Sequence, residues 1–268
     1  MFYRVMAHEK RMSKSILDDP AISGRYLFPQ SRYIEDPFEV EVGGATLKCH
    51  RQIIDSDRPT LIHFHGNGEA VYDYVPDLAT VFEEMGLNTI FVEYRKYGGS
   101  TGEAHLVEML GDGEAVLKAA GVNPEKTVAF GRSIGSLYAI ELVHRIPSIA
   151  GLILESGIAD PAERFLLYAD LETAGVSESE VQAESKKYFD HQAKLAAYKN
   201  PLLLLHTEFD GLVEIVHAER NLAWAGSDQK ELVRFPAGNH NSILSVNFEA
   251  YLAAVKTFIF ETVRKRSL

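Results

Sequence analysis

Short apolar runs of strand length alternate with segments of helical period from residue 60 to the end of the chain. This alternation narrows the fold more than any other feature. Residues 60–65, 89–93, 127–130, 152–154, 201–206 and 231–235 read as buried strands. Between them, residues 70–85 carry Val71, Tyr74, Val75, Leu78, Val81, Phe82 and Met85 at helical spacing. Residues 103–120 place Leu106, Leu110 and Leu117 on one face, behind a capping-box spacing in Ser100-Thr101-Gly102-Glu103. Residues 133–145, 214–225 and 243–264 read as further helices. Buried strands joined by helices mean βα units and a mostly parallel central sheet flanked by helices. Ahead of them, residues 38–42 and 45–50 are separated by Gly43-Gly44, a hairpin signal that adds antiparallel strands at one edge.

One interval breaks the rhythm. More than forty residues between Leu154 and Pro201 contain no strand pattern, but they hold two helix starts, Asp160-Pro161-Ala162-Glu163 and Ser177-Glu178-Ser179-Glu180. They read as a small helical cap at about residues 160–199, inserted in one α/β domain of residues 36–268. Residues 1–35 are weakly periodic and read as an N-terminal extension with a short helix at about residues 11–17.

Composition removes several classes of function. The chain of 268 residues carries a net charge of −11 and no basic stripe, which argues against nucleic acid as a partner. Its one basic cluster, Arg264-Lys265-Arg266, reads as a solvated helix end. The single cysteine, Cys49, excludes an internal disulfide and reads as a packing residue. No apolar stretch reaches membrane-spanning length, and Met1-Phe2-Tyr3-Arg4 opens no signal peptide. The simplest expectation is a soluble, cytoplasmic protein with no integral membrane segment.

The chemistry concentrates in Gly131-Arg132-Ser133-Ile134-Gly135, which fits G-x-S-x-G. It follows a buried strand and opens a helix, the setting of a nucleophile elbow. A serine hydroxyl is a weak nucleophile and needs a base in hydrogen-bond reach. The order expected after such an elbow is an acid and then a histidine. Asp210 follows the strand at 201–206, with Glu208 as a nearby rival, and His240 follows the strand at 231–235. Both therefore fall at the carboxyl ends of strands, where open parallel sheets place their ligands. An oxyanion hole would take the backbone N–H of Ile134 and that of Asn67, in the loop His65-Gly66-Asn67-Gly68-Glu69. His65 is expected to shape that loop. His63-x-His65 lacks a clear carboxylate or cysteine partner, so no metal site is expected. Arg132 and Arg95 read as structural partners of carboxylates.

Together with Tyr94-Arg95-Lys96-Tyr97-Gly98-Gly99-Ser100, these residues resemble the α/β-hydrolase superfamily from about Phe38 to the last helix. They look most like its short-cap serine hydrolases, which include bacterial esterases and membrane-linked depalmitoylating relatives. Two positions depart from the family pattern. Lys96 stands where a glycine is common, and Ser136 stands where the elbow is often followed by a second glycine. The resemblance implies an α/β-hydrolase fold and hydrolysis of a small-molecule ester or thioester through Ser133, His240 and Asp210, without cofactor or metal. Peptide or amide hydrolysis by the same residues, or a non-catalytic binding protein on the same fold, are the alternatives. Phe165, Leu166, Tyr168 and Phe189 in the cap are expected to line a substrate pocket. Six acids against one base between Pro161 and Glu184 read as a solvated face, the other reading being a stretch that disfavours anionic substrates near the entrance.

Overall fold

The computed structural model describes residues 15–263; the ends of the chain, including Met1-Phe2-Tyr3-Arg4 and Arg264-Lys265-Arg266, lie outside the described residues. Eight strands form one sheet: β1 (Phe38–Val42), β2 (Ala45–Gln52), β3 (Thr60–Phe64), β4 (Asn88–Val92), β5 (Thr127–Arg132), β6 (Gly151–Glu155), β7 (Leu202–Thr207) and β8 (Lys230–Phe235). Their spatial order is β1-β2-β4-β3-β5-β6-β7-β8. β1 and β2 pair antiparallel through the Gly43-Gly44 turn, β2 joins β4 antiparallel, and every later pairing is parallel.

The helices, in chain order, are α1 (Ser23–Tyr26), α2 (Asp77–Glu84), α3 (Asp112–Ala120), α4 (Gly135–Arg145), α5 (Pro161–Leu166), α6 (Leu171–Ala174), α7 (Glu178–Tyr188), α8 (His191–Ala197), α9 (Ile215–Trp224), α10 (Ile243–Val246) and α11 (Phe248–Thr257). Alternate residues of the central strands feed opposite faces of the sheet. Ile62, Phe64, Ala129, Leu152 and Leu154 pack with residues of α3 and α4, whereas Leu61, Val128, Phe130, Ile153 and Leu203 pack with Phe82 of α2 and Tyr251 and Val255 of α11. Both faces are covered, which explains why these strands read as unbroken apolar runs.

Several helices are shorter than their periodicity predicts. The 70–85 segment divides into a 3-10 turn, Val71–Asp73, and α2, because Pro76 supplies no N–H and disfavours helical geometry at Val75. The expected start at Ser100-Thr101-Gly102-Glu103 does not cap a helix. Ser100 Oγ accepts the Lys48 N–H and Thr101 Oγ1 accepts the Thr46 N–H, so both hydroxyls brace β2. The helical residues begin only at a 3-10 turn, Glu108–Gly111, before α3. The last segment divides into α10, α11 and a π-helical turn, Phe258–Val263. Of the helix expected at 11–17, residues 11–14 lie outside the described residues, and the rest forms a 3-10 turn at Ile16–Asp18 under a Ser15 cap.

The interval between β6 and β7 holds no strand and carries the four helices α5 to α8. Asp160 caps α5, and Ser177 with Glu180 forms the capping box of α7. No helix among the described residues is long and apolar enough to cross a membrane.

Candidate active site

The loops after β3, β5, β6, β7 and β8 leave the carboxyl edge of the sheet and meet there. The register sets Phe64 beside Gly131, Arg132 beside Glu155, and Thr207 beside Phe235, so these loops start level with one another. The turn after β5 is the tightest. Ser133 sits at φ +51°, in the left-handed region that a non-glycine residue seldom adopts. The two flanking glycines are there because nothing larger fits. A Cβ on Gly131 would stand 2.6 Å from the Gly135 carbonyl oxygen, and one on Gly135 would stand 2.1 Å from that of Phe64.

Ser133, His240 and Asp210 come together as the sequence places them. His240 Nε2 lies 2.9 Å from Ser133 Oγ, and His240 Nδ1 lies 2.7 Å from Asp210 Oδ2. Asp210 Oδ1 accepts the N–H groups of Leu212 and Val213 at 3.0 and 2.8 Å. Burial alone would raise the Asp210 carboxyl. The hydrogen bond and charge of His240 and the Val213 N–H outweigh it and bring the pKa to about 2. An ionised Asp210 only accepts hydrogen bonds, so the ring proton sits on Nδ1 and Nε2 is left to accept from the serine hydroxyl. Glu208, the rival acid, is exposed and pairs with Arg234 at 3.6 Å.

Arg132 ties three loops to one another. Its guanidinium lies 3.1 Å from Glu69 and 3.2 Å from Glu155, and it donates to the His240 carbonyl at 3.1 Å. Glu69 also accepts the Gly66 N–H at 2.6 Å and the Tyr74 hydroxyl, while Glu155 accepts the Tyr251 hydroxyl. Sequence reasoning assigned Arg132 a carboxylate partner but not Glu69 and Glu155, which lie 63 residues upstream and 23 downstream of it. Arg95 likewise pairs with Asp112 and Glu108, at 2.9 and 2.6 Å.

Behind the Gly66 loop, His65 lies with Nδ1 2.8 Å from the Gly66 carbonyl oxygen and Nε2 2.8 Å from Glu93. Burial opposes charge on this ring, but the Glu93 carboxylate overrides it and raises the pKa. The side chain of Asn67 holds residues 26–28 and Tyr97. Its Oδ1 accepts the Phe28 N–H and the Tyr97 hydroxyl, and its Nδ2 donates to the Tyr26 carbonyl.

A cavity of about 200 Å³ opens beside Ser133, lined among others by Tyr26, Phe28, Asn67, Arg164, Tyr168 and His240. Of the four cap residues expected to line a pocket, the structure brings only Tyr168 to this one. Phe165 is buried in the core, edge-on to Tyr26 and Phe189. Leu166 and Phe189 line a separate cavity between the inserted helices and α9. The short α5 buries Phe165 against Tyr26 and Phe189 and carries Leu166 to the other cavity, so neighbouring residues part company. Tyr26 and Phe28 were missed because the segment before β1 carries no periodic signal and reaches the site through long-range contacts to Asn67, Phe165 and Tyr168.

The comparisons bear on the fold. No family model matches the chain. It is 27% identical over 192 residues to the uncharacterized protein YfhR of Escherichia coli, an alignment spanning 69% of this chain and 64% of that protein. The chain thus covers less than two thirds of that relative's length. Among solved structures it resembles the Pyrococcus furiosus esterase Pf2001, with TM-score 0.68 and 20% identity over 88% of this chain and all of that one. It also resembles Est1E of Butyrivibrio proteoclasticus, solved with ferulic acid, with TM-score 0.68 and 19% identity over 85% and 99% of the two chains.

Proposed function

On the α/β-hydrolase fold that this chain has, we propose that it is a serine hydrolase cleaving a carboxylic ester or thioester through an acyl-enzyme. The observation that carries this reading is the hydrogen-bonded series Ser133–His240–Asp210, with Ser133 held in a left-handed turn at the mouth of a cavity. The naming of structural neighbours as esterases supports the same reaction type.

In the proposed reaction Ser133 Oγ attacks the substrate carbonyl carbon while its proton passes to His240 Nε2. Asp210, ionised at neutral pH, holds the ring orientation and stabilises the imidazolium. The backbone N–H groups of Ile134 and Asn67 take the developing oxyanion, each such donor being worth about 3–4 kcal/mol in comparable sites. The carbonyl–oxygen (or carbonyl–sulfur) bond then breaks, and the leaving group departs with the proton from His240. Water, deprotonated by the same ring, attacks the acyl carbon, and Ser133 leaves as the free hydroxyl with the acid as product. The cavity is small for a ligand site, which favours a compact substrate.

The test is stopped-flow hydrolysis of para-nitrophenyl acetate. A burst of para-nitrophenol equal to the enzyme concentration, abolished in Ser133→Ala with the unfolding midpoint unchanged, supports the acyl-enzyme. A Ser133→Ala protein that retains the native rate overturns it.

A further inference from the structure

Two guanidinium groups line the Ser133 cavity, and their circumstances differ. Arg132 is held between Glu69 and Glu155. Arg164, on α5, is half-buried, and its Nε is buried without a hydrogen-bond partner among the described residues. Its neighbour Glu163 is turned to Arg220, at 3.6 Å. The Tyr26 hydroxyl accepts a hydrogen bond from the Arg164 guanidinium but supplies no negative charge, because burial holds its phenol well above its ordinary pKa.

Arg164 is also the one base in the acid-rich stretch between Pro161 and Glu184. None of the six acids of that stretch lines the cavity. Asp170 pairs with Arg25, Glu180 closes the capping box on Ser177, and Glu184 accepts the Ser15 hydroxyl. The acidic excess thus faces away from Ser133, and the lone cation faces it. The other walls of the cavity include Tyr26, Ile158, Tyr168 and Val213, and Glu69, the one carboxylate among them, is paired with Arg132. A charge among apolar and aromatic groups attracts an opposite charge more strongly than it would in water.

We propose that Arg164 receives a carboxylate carried by the substrate, so that the ester taken by this site is an anionic one. The inference rests on the reading of Ser133 as nucleophile. The planar fork of a guanidinium matches a carboxylate in two parallel hydrogen bonds. The limited volume beside Ser133 places that carboxylate within a few bonds of the scissile carbonyl.

Two matched pairs of esters test it. Phenyl hydrogen succinate against phenyl butyrate carries the anion on the acyl half, and para-acetoxybenzoate against phenyl acetate carries it on the alcohol half. The expected result is a kcat/KM at least about tenfold higher for the anionic member of one pair. Arg164→Gln should abolish that preference through KM, lowering kcat/KM for the anionic ester about tenfold more than for its neutral partner, and be partly rescued by Arg164→Lys. Equal losses on both members, or no preference for either anionic ester in the native chain, overturn the proposal. A fluorophosphonate reaction on the same proteins separates the two levels. Labelled Ser133 without charge preference removes only the role of Arg164, whereas unlabelled Ser133 in a folded chain removes the hydrolase reading and this inference with it.

Discussion

Asp210 is held by three groups at once, the His240 ring and two backbone N–H groups, and this fixes how its charge bears on folding. Its pKa falls from the ordinary 3.8 to about 2 in the folded chain. A carboxyl depressed in this way stabilises the fold fully above its unfolded pKa and progressively less as pH falls toward the folded one. The full contribution is about 2 kcal/mol. In urea unfolding, the stability gap between the native chain and Asp210→Asn should shrink by about 1 kcal/mol between pH 5 and pH 3. A gap that stays constant or widens on acidification contradicts the assignment. Lys96 shows a second single-residue effect. It departs from the glycine common in similar proteins, yet its backbone stands at φ +71°. Its pairing with Glu103 is exposed and contributes little. Lys96→Gly is expected to stabilise the chain by about 0.5–1 kcal/mol, seen as a higher unfolding midpoint. A lower midpoint means that the lysine side chain matters more than its backbone.

At the scale of elements, the turn from β5 into α4 shows why the motif reads as it does. Gly135 lies against the backbone of β3 and Gly131 against that of α4, so the two glycines are steric requirements of one crossing. Gly135→Ala should cost about 3 kcal/mol in urea unfolding, because the nearest atom is a backbone carbonyl that cannot swing aside. A loss under about 0.5 kcal/mol would show that the turn tolerates displacement. Ser136, the other departure from the family pattern, has a clear use: it donates to the Ser133 carbonyl at 2.6 Å and accepts the Ile158 N–H at 3.0 Å, pinning the elbow to the loop after β6. The order of strands and the convergence of their loops were legible because a buried parallel strand has a local apolar signature. Helix lengths were less so. Pro76 breaks its segment locally in a way that apolar periodicity does not register, and the hydroxyls of Ser100 and Thr101 answer to partners distant in sequence.

At the scale of the whole molecule, the sheet edge gathers Ser133, Asp210 and His240, which lie up to 107 positions apart. Spacing after successive strands anticipated that gathering. The walls of the cavity were not legible in the same way. Residues 26–28 reach it through Asn67 and Tyr168, and α5 with the turn after it delivers Arg164 and Tyr168 to it while placing Phe165 and Leu166 elsewhere. Which face a short helix presents depends on what packs behind it, and that is a property of the folded chain. The most direct measurement is peptide mass spectrometry after reaction of the native protein with a fluorophosphonate. The account requires one adduct per chain, on Ser133, slowed by His240→Gln and absent in Ser133→Ala. A folded chain that takes no adduct, or takes it on another residue, contradicts the account.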